Sequence, residues 1–355
     1  MSAVFDQVFV LYPRGLQTGG PEALHQLVHQ LRSDGQSAFL VPIEGTADRP
    51  RAEQFRKYDA PEAPLSDRPG NAVVAPETAL TSLRGIRNAQ PVCWWLSVDN
   101  SMPFIIEQER RDREFANLQN IRHKRWAPSM RILLERRLVA NYNYARLFSR
   151  AFHIAQSVYA RAFLQTHLGI CAAIVSDYIP RVDSDLQDDE TESFGRSHSI
   201  AYNPAKAPWI PSLLRPHMPD VTWSPLAGLD RSGVVRLLRE SGAYFDPGFH
   251  PGRDRMPREA AMLHTPVVVA RRGAAAYWDD VPVGAEFKVS AGREFVSDAS
   301  SRLLSILNDP EGAAERQAGY RQWIGNDQER FAREVRRAFR DGRWEDDMPV
   351  LPARV

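Results

Sequence analysis

Glu259 and the arginines just before it are the residues of this chain best suited to chemistry. They lie in the stretch Ala243 to Ala276, AYFDPGFHPGRDRMPREAAMLHTPVVVARRGAAA. Arg253, Arg255 and Arg258 bring cations to a Gly/Pro-rich loop. The backbone N–H groups of a helix expected to open at Pro257 favour an anion there as well. Glu259, in the first turn, is a carboxylate able to grip sugar hydroxyls. A strand precedes the loop and a second strand, VVVA, follows the helix. The loop therefore stands at the carboxyl end of a strand, where open α/β sheets bind ligands. A nucleotide diphosphate would satisfy both the cations and the carboxylate.

The run Glu259-Ala260-Ala261-Met262-Leu263-His264-Thr265-Pro266-Val267-Val268 resembles a segment of the GT-B glycosyltransferases, in which a loop leads into a helix reading roughly E-A-M-A-x-G-x-P-V-V. The resemblance implies an α/β fold of two Rossmann-like domains facing each other across a cleft. It implies a nucleotide sugar on the C-terminal domain and an acceptor, a saccharide or a lipid-linked one, on the N-terminal domain. Glu259 would hold the ribose, while Lys206, Arg255 and Arg258 would neutralise the diphosphate. That neutralisation is the main catalytic lever, because the leaving group gains negative charge in the transition state. His250, followed by Pro251, is similar to the His-Pro pair with which some transferases of CMP-activated acidic sugars hold the nucleotide phosphate, and reads as a further donor contact. The chain departs from the pattern in one respect. Retaining members carry a second acid eight positions before the helix acid, and here that position is Pro251. No metal or other cofactor is implied, and no Asp-x-Asp motif falls in a suitable loop.

The rest of the chain must position these groups. Val8 to Leu11 reads as a buried strand, and Gly19, Gly20 and Pro21 then open a helix carrying Leu24, Leu27, Val28 and Leu31 at helical spacing. Gly19 and Gly20 permit close backbone approach, as at the first strand-to-helix turn of GT-B N-terminal domains. Further strands are expected at 37–42, 72–74, 91–98, 152–155, 172–175, 199–202, 221–225 and 243–246. Helices are expected at 76–83, 109–150, 157–167, 231–240, 298–308 and 326–340. Such alternation implies mostly parallel sheets covered on both faces. The acidic, aliphatic-poor stretch 181–197 reads as the linker. Residues 1–195 then form the acceptor domain, 196–325 the donor domain, and 326–355 a helix and tail packing back on the first.

An inverting transferase needs a general base within hydrogen-bond reach of the acceptor. Asp99, ending the strand PVCWWLSV, is the best-placed candidate, and Asp177 is the next. With Arg255 and Glu259, Asp99 completes the expected catalytic set. His25 reads as a partly buried helix residue and Asp246 as a loop cap.

Composition bounds the alternatives. The 355 residues suffice for two domains, with 43% hydrophobic and 25% charged residues and a net charge of +1. No global field selects nucleic acid as a partner. Cys93 and Cys171 both lie in apolar runs and read as buried, reduced thiols. No signal peptide or membrane span is expected, which points to a cytoplasmic protein. The basic stretch 109–150, interleaved with apolar residues, is a candidate for peripheral contact with anionic lipid. Bacterial surface polysaccharide synthesis is the expected setting, by analogy alone. A sugar-nucleotide epimerase or hydrolase, or a non-catalytic nucleotide-binding scaffold, fits the same features.

Overall fold

A computed structural model describes residues 4–101, 144–180, 196–290 and 292–344. Most of the basic stretch 109–150 and of the acidic linker lies outside the described residues.

Continuous apolar runs make strands buried on both faces, and the intervening helices return the chain to the same end of the sheet, so the strands pair in parallel. β1 (Val8–Tyr12), β2 (Ala38–Pro42), β3 (Ala72–Pro76), β4 (Gln90–Trp95), β5 (Phe152–Ala155) and β6 (Ala173–Ile174) form one sheet in the order β2-β1-β3-β4-β5-β6. Every pairing in it is parallel. β7 (Ser197–Tyr202), β8 (Thr222–Pro225), β9 (Ser241–Asp246), β10 (Val267–Ala270) and β11 (Lys288–Val289) form a second, also all parallel, in the order β11-β10-β9-β7-β8. The two sheets repeat one plan. In each, the first strand lies between the second and the third, so the direction of winding reverses between β1 and β3 and again between β7 and β9. Open α/β sheets bind ligands outside the carboxyl ends of strands at such a reversal.

Contacts divide the chain into two units. One comprises Met1–Gln156, Ala160–Val175 and Ala332–Val355; the other comprises Ser157–Tyr159 and Ser176–Phe331. In the first, Trp94 and Trp95 are fully buried. The late residues Phe339 and Trp344 close over Phe5, with ring centroids 6.4 and 5.9 Å away. Arg336 Nε ties to Asp34 at 2.8 Å. In the second, all of β9 and β10 is buried.

Several expectations change in detail. The helix of the signature segment runs Arg255–Met262, so Pro257 is its third residue and not its first. The helix expected at 76–83 is a 3₁₀ segment, Glu77–Gly85, kinked at Ala79. Two short helices, Pro310–Arg316 and Ala318–Gly325, carried no periodic run long enough to announce them. Cys93 is buried as expected, but Cys171 is exposed. The strand there shrinks to Ala173–Ile174, and Cys171 lies before it, just beyond the left-handed turn at Gly169. Among the described residues no helix is long and apolar enough to cross a membrane.

Candidate functional site

The reversal point of the second sheet collects most of the charge that the sequence singles out. Asp246, the last residue of β9, is 1% exposed. Its Oδ2 accepts hydrogen bonds from Lys206 Nζ at 3.0 Å and from the Tyr244 hydroxyl at 3.2 Å. Its Oδ1 accepts from the Gly248 N–H at 3.1 Å and faces His250 Nε2 at 3.5 Å. On the other side of the imidazole, His250 Nδ1 lies 3.0 Å from Asp254 Oδ2, and Asp254 also pairs with Lys206. Lys206 arrives from the turn after β7, the neighbour of β9, with Tyr202 in register with Phe245. Residues 40 positions apart are thus joined by topology.

The four side chains balance one another. Burial works against a charged His250, but Asp246 and Asp254 outweigh it and push its pKa up to about 9. Burial likewise opposes the charge on Lys206, and the same two carboxylates hold its pKa above the ordinary value. Burial works against an ionised Asp246 too, yet His250 and Lys206 hold its carboxyl well below the usual range. Asp246, His250 and Asp254 each place one ligand atom within 4.8 Å of the others, a donor set of a kind that binds divalent ions. Lys206 already bridges both carboxylates, so the charge of the group is matched within the protein.

Glu259 occupies a second position along the same loop and helix. Arg255 and Glu259 are one turn apart on the Arg255–Met262 helix, and Arg255 Nε donates to Oε1. Oε2 accepts from Arg231 Nη1 at 2.5 Å. Arg231 opens the Arg231–Glu240 helix, whose N-cap, Asp230, accepts from the Gly233 N–H at 2.8 Å. The Glu259 side chain is 1% exposed, whereas Arg255 and Arg231 are 32% and 37% exposed. From solvent, the two guanidinium groups therefore stand in front of the carboxylate. A carboxylate has about four acceptor sites, so two arginines leave it capacity for a hydroxyl donor.

Arg258 points elsewhere. Its Nη2 lies 2.7 Å from Asp177 Oδ2 and donates to the Arg253 carbonyl at 2.7 Å, and its Nη1 is 3.3 Å from Asp327 Oδ2. Arg253 Nη2 donates to Asp327 Oδ1 at 2.6 Å, and its guanidinium lies 4.2 Å from the Trp323 ring centroid. Both arginines are buried. Arg258, expected to neutralise a diphosphate, is engaged instead with Asp177 and Asp327 in this structure. Asp177, the second candidate base, is engaged in the same network.

In the first unit, Gly19 and Gly20 open the Gly19–Ser33 helix beyond β1. A Cβ at Gly19 would meet nothing within 4 Å, and one at Gly20 only Leu96 Cδ1 at 3.9 Å. Packing does not require glycine at either position. His25 is wholly buried, and burial pushes its pKa down to about 4. Asp99 stands, part-buried, on the Val98–Asn100 turn that follows β4. That turn is held by Glu77, which the sequence reading did not single out. Glu77 follows β3, is buried, and accepts from the Leu96 N–H at 2.9 Å. Burial pushes its pKa up from 4.5 to about 7, against the pull of the Leu96 and Ser97 N–H groups.

The sign of the Glu77 effect is the reverse of the common carboxylate case. Its folded pKa lies above its unfolded one, so its contribution is complete below pH 4.5 and is lost as pH rises through 7. Glu77→Gln is accordingly expected to lose less stability than the wild type between these pH values. Urea denaturation at several pH values checks this, and parallel slopes for the two proteins would refute it.

No protein-family model matches the chain, and neither does any curated protein. Solved structures match it over nearly its whole length. HepE from Anabaena, in complex with UDP and glucose, is 13% identical with a TM-score of 0.59, covering 94% of this chain and 98% of its own. Sucrose-phosphate synthase from Thermosynechococcus elongatus is 11% identical with a TM-score of 0.57, covering 94% and 98%. WaaG, a glycosyltransferase involved in lipopolysaccharide biosynthesis, is 11% identical with a TM-score of 0.50, covering 93% and 99%. The fold is GT-B. Within that fold, the second unit brings Lys206 together with His250, and Arg255 together with Glu259. Asp99, Gly19 and Gly20 belong to the first. Arg231 and Asp254 join the site unannounced by the sequence. Asp254 could have been found as a loop acid four residues from His250, but nothing in one sequence links Arg231 to a carboxylate 28 positions away.

Proposed function

We propose that the protein is a glycosyltransferase whose second unit binds a nucleotide sugar at the loop 246–259. The observation that carries this reading is Glu259, clamped by two part-exposed arginines on the helix that leaves the reversal point of a GT-B sheet. Arg255 and Arg231 face the anionic part of the donor. The carboxylate behind them takes the ribose hydroxyls and fixes both guanidinium forks. Lys206 and His250 add two cations beside the loop, tethered by Asp246 and Asp254. As the bond to the sugar breaks, charge gathers on the departing diphosphate, and a fixed guanidinium stabilises it without reorganising. Asp99 is the proposed base toward an acceptor hydroxyl, with Gly19 and Gly20 leaving room for the acceptor. The acceptor is a saccharide or a lipid-linked one, and surface polysaccharide synthesis in bacteria is the proposed setting.

The test is release of nucleoside diphosphate from a panel of UDP-, GDP- and ADP-sugars, with and without saccharide acceptors. Arg255→Ala is expected to lower kcat about a hundredfold, the scale of losing one charge-stabilising donor. Release without acceptor would identify a hydrolase instead. A second reading, a nucleotide-binding scaffold, is favoured by Pro251 at the position of the second acid and by the internal pairing of Lys206. Nucleotide binding with no turnover of any sugar would establish that reading.

A further inference from the structure

Phe249 is the side chain of the loop that the ion pairs leave unused. It is 39% exposed, yet the backbone beside it is held firmly. The His250 carbonyl accepts the Ala274 N–H at 2.8 Å, and His250 pairs with Gly273 in a parallel bridge. Gly273 has φ +60°, and a Cβ there would lie 2.1 Å from the His250 carbonyl oxygen. Glycine alone permits that approach. The loop of Gly273 thus braces the one carrying Phe249. Tyr159 meets the Phe249 ring edge-on at 6.0 Å between centroids, and Tyr277 backs Tyr159 at 5.9 Å. Arg272, exposed, stands over the same ring at 5.8 Å from its centroid. It forms no ion pair among the described residues.

A large aromatic face on a braced backbone is a preorganised surface, covered at little cost in ordering. One face of a pyranose carries C–H groups that fit against such a ring. A neutral sugar offers the adjacent guanidinium no counter-charge, whereas a carboxylate on the sugar matches its planar fork. Shape and charge select the same ligand. We infer that Phe249 and Arg272 form a subsite for an acidic pyranose, a sugar of the uronic acid class, on the second unit beside the loop that carries His250. This deepens the transferase reading and rests on it only in making the sugar part of the donor. Binding of the sugar itself does not depend on that reading.

The experiment is saturation-transfer NMR with free glucuronate and free glucose on the wild type, Phe249→Ala and Arg272→Gln, with UDP, GDP and ADP titrated in parallel. Both side chains are exposed, so the variants are expected to melt as the wild type does. Glucuronate is expected to respond more strongly than glucose in the wild type, and Phe249→Ala to abolish both responses. Arg272→Gln is expected to lower the glucuronate affinity about tenfold, the scale of one charge-assisted hydrogen bond. Nucleotide binding is expected to be unchanged in both variants. Equal responses to the two sugars, no response, or a glucuronate response indifferent to both substitutions would overturn the subsite. A glucuronate response alongside no nucleotide binding would uphold the subsite and refute the donor reading.

Discussion

Replacing Arg258 by alanine is expected to destabilise the protein by about 3–5 kcal/mol, the cost of stripping one partner from a buried ion pair. The guanidinium is 2% exposed and serves Asp177 and Asp327 at once. Asp327 is itself buried at 1% exposure and would keep Arg253 and Arg330 as its ion-pair partners among the described residues. The lost bond to the Arg253 carbonyl adds to the cost. Urea denaturation monitored by tryptophan fluorescence reads the change, and a loss under about 1 kcal/mol would place the pair among surface ion pairs. Arg258→Lys should recover only part of the loss, since an ammonium cannot span both carboxylates and the carbonyl with a planar fork.

Asp246→Asn is expected to cost a similar amount and, more tellingly, to change the dependence of stability on pH. Asp246 joins Lys206, His250, Tyr244 and the Gly248 N–H. His250 has a folded pKa of about 9 against 6.5 unfolded. Its stabilisation is therefore complete below pH 6.5 and is lost as pH rises through 9. The folded pKa of Asp246 is depressed, so its own contribution is present above its unfolded value of 3.8 and is lost as pH falls toward the folded one. The group is at full strength between these limits. In the Asn variant the alkaline fall in stability between pH 6.5 and 9 should flatten, because the charge that keeps His250 protonated has gone. Equal alkaline slopes in the two proteins would show that Asp246 does not hold that proton.

The strands VFVLY and VVVA were readable because parallel strands buried on both faces must be continuously apolar. The loop at 246–259 was readable as a candidate site because glycines, prolines and charge break that pattern between a strand and a helix. The pairing of Arg255 with Glu259 follows from helical spacing alone. What a single sequence did not contain was the third dimension of the charges. Arg258 differs from Arg255 by three positions, yet its partners lie 81 and 69 residues away. Nothing local distinguishes an arginine facing a ligand from one facing a buried aspartate. Lys206 was placed after the right strand, but the two carboxylates that hold it depend on β7 and β9 being neighbours. Cys171 was misread because the run around it is apolar enough for a strand, while only two of its residues pair.

Calorimetric titration of UDP, GDP, CMP and inorganic pyrophosphate into the wild type and Glu259→Ala tests the central claim most directly. Removing Glu259 takes a negative charge away from Arg231 and Arg255, so electrostatics alone would make every phosphate ligand bind as well or better. The proposed grip of the carboxylate on a ribose predicts a split. One nucleotide should bind the wild type at micromolar concentration and lose about tenfold in the variant, while pyrophosphate should lose nothing. If no nucleotide binds more tightly than pyrophosphate, or if the variant weakens neither, Glu259 does not hold a nucleotide ribose and the donor site is not at this loop.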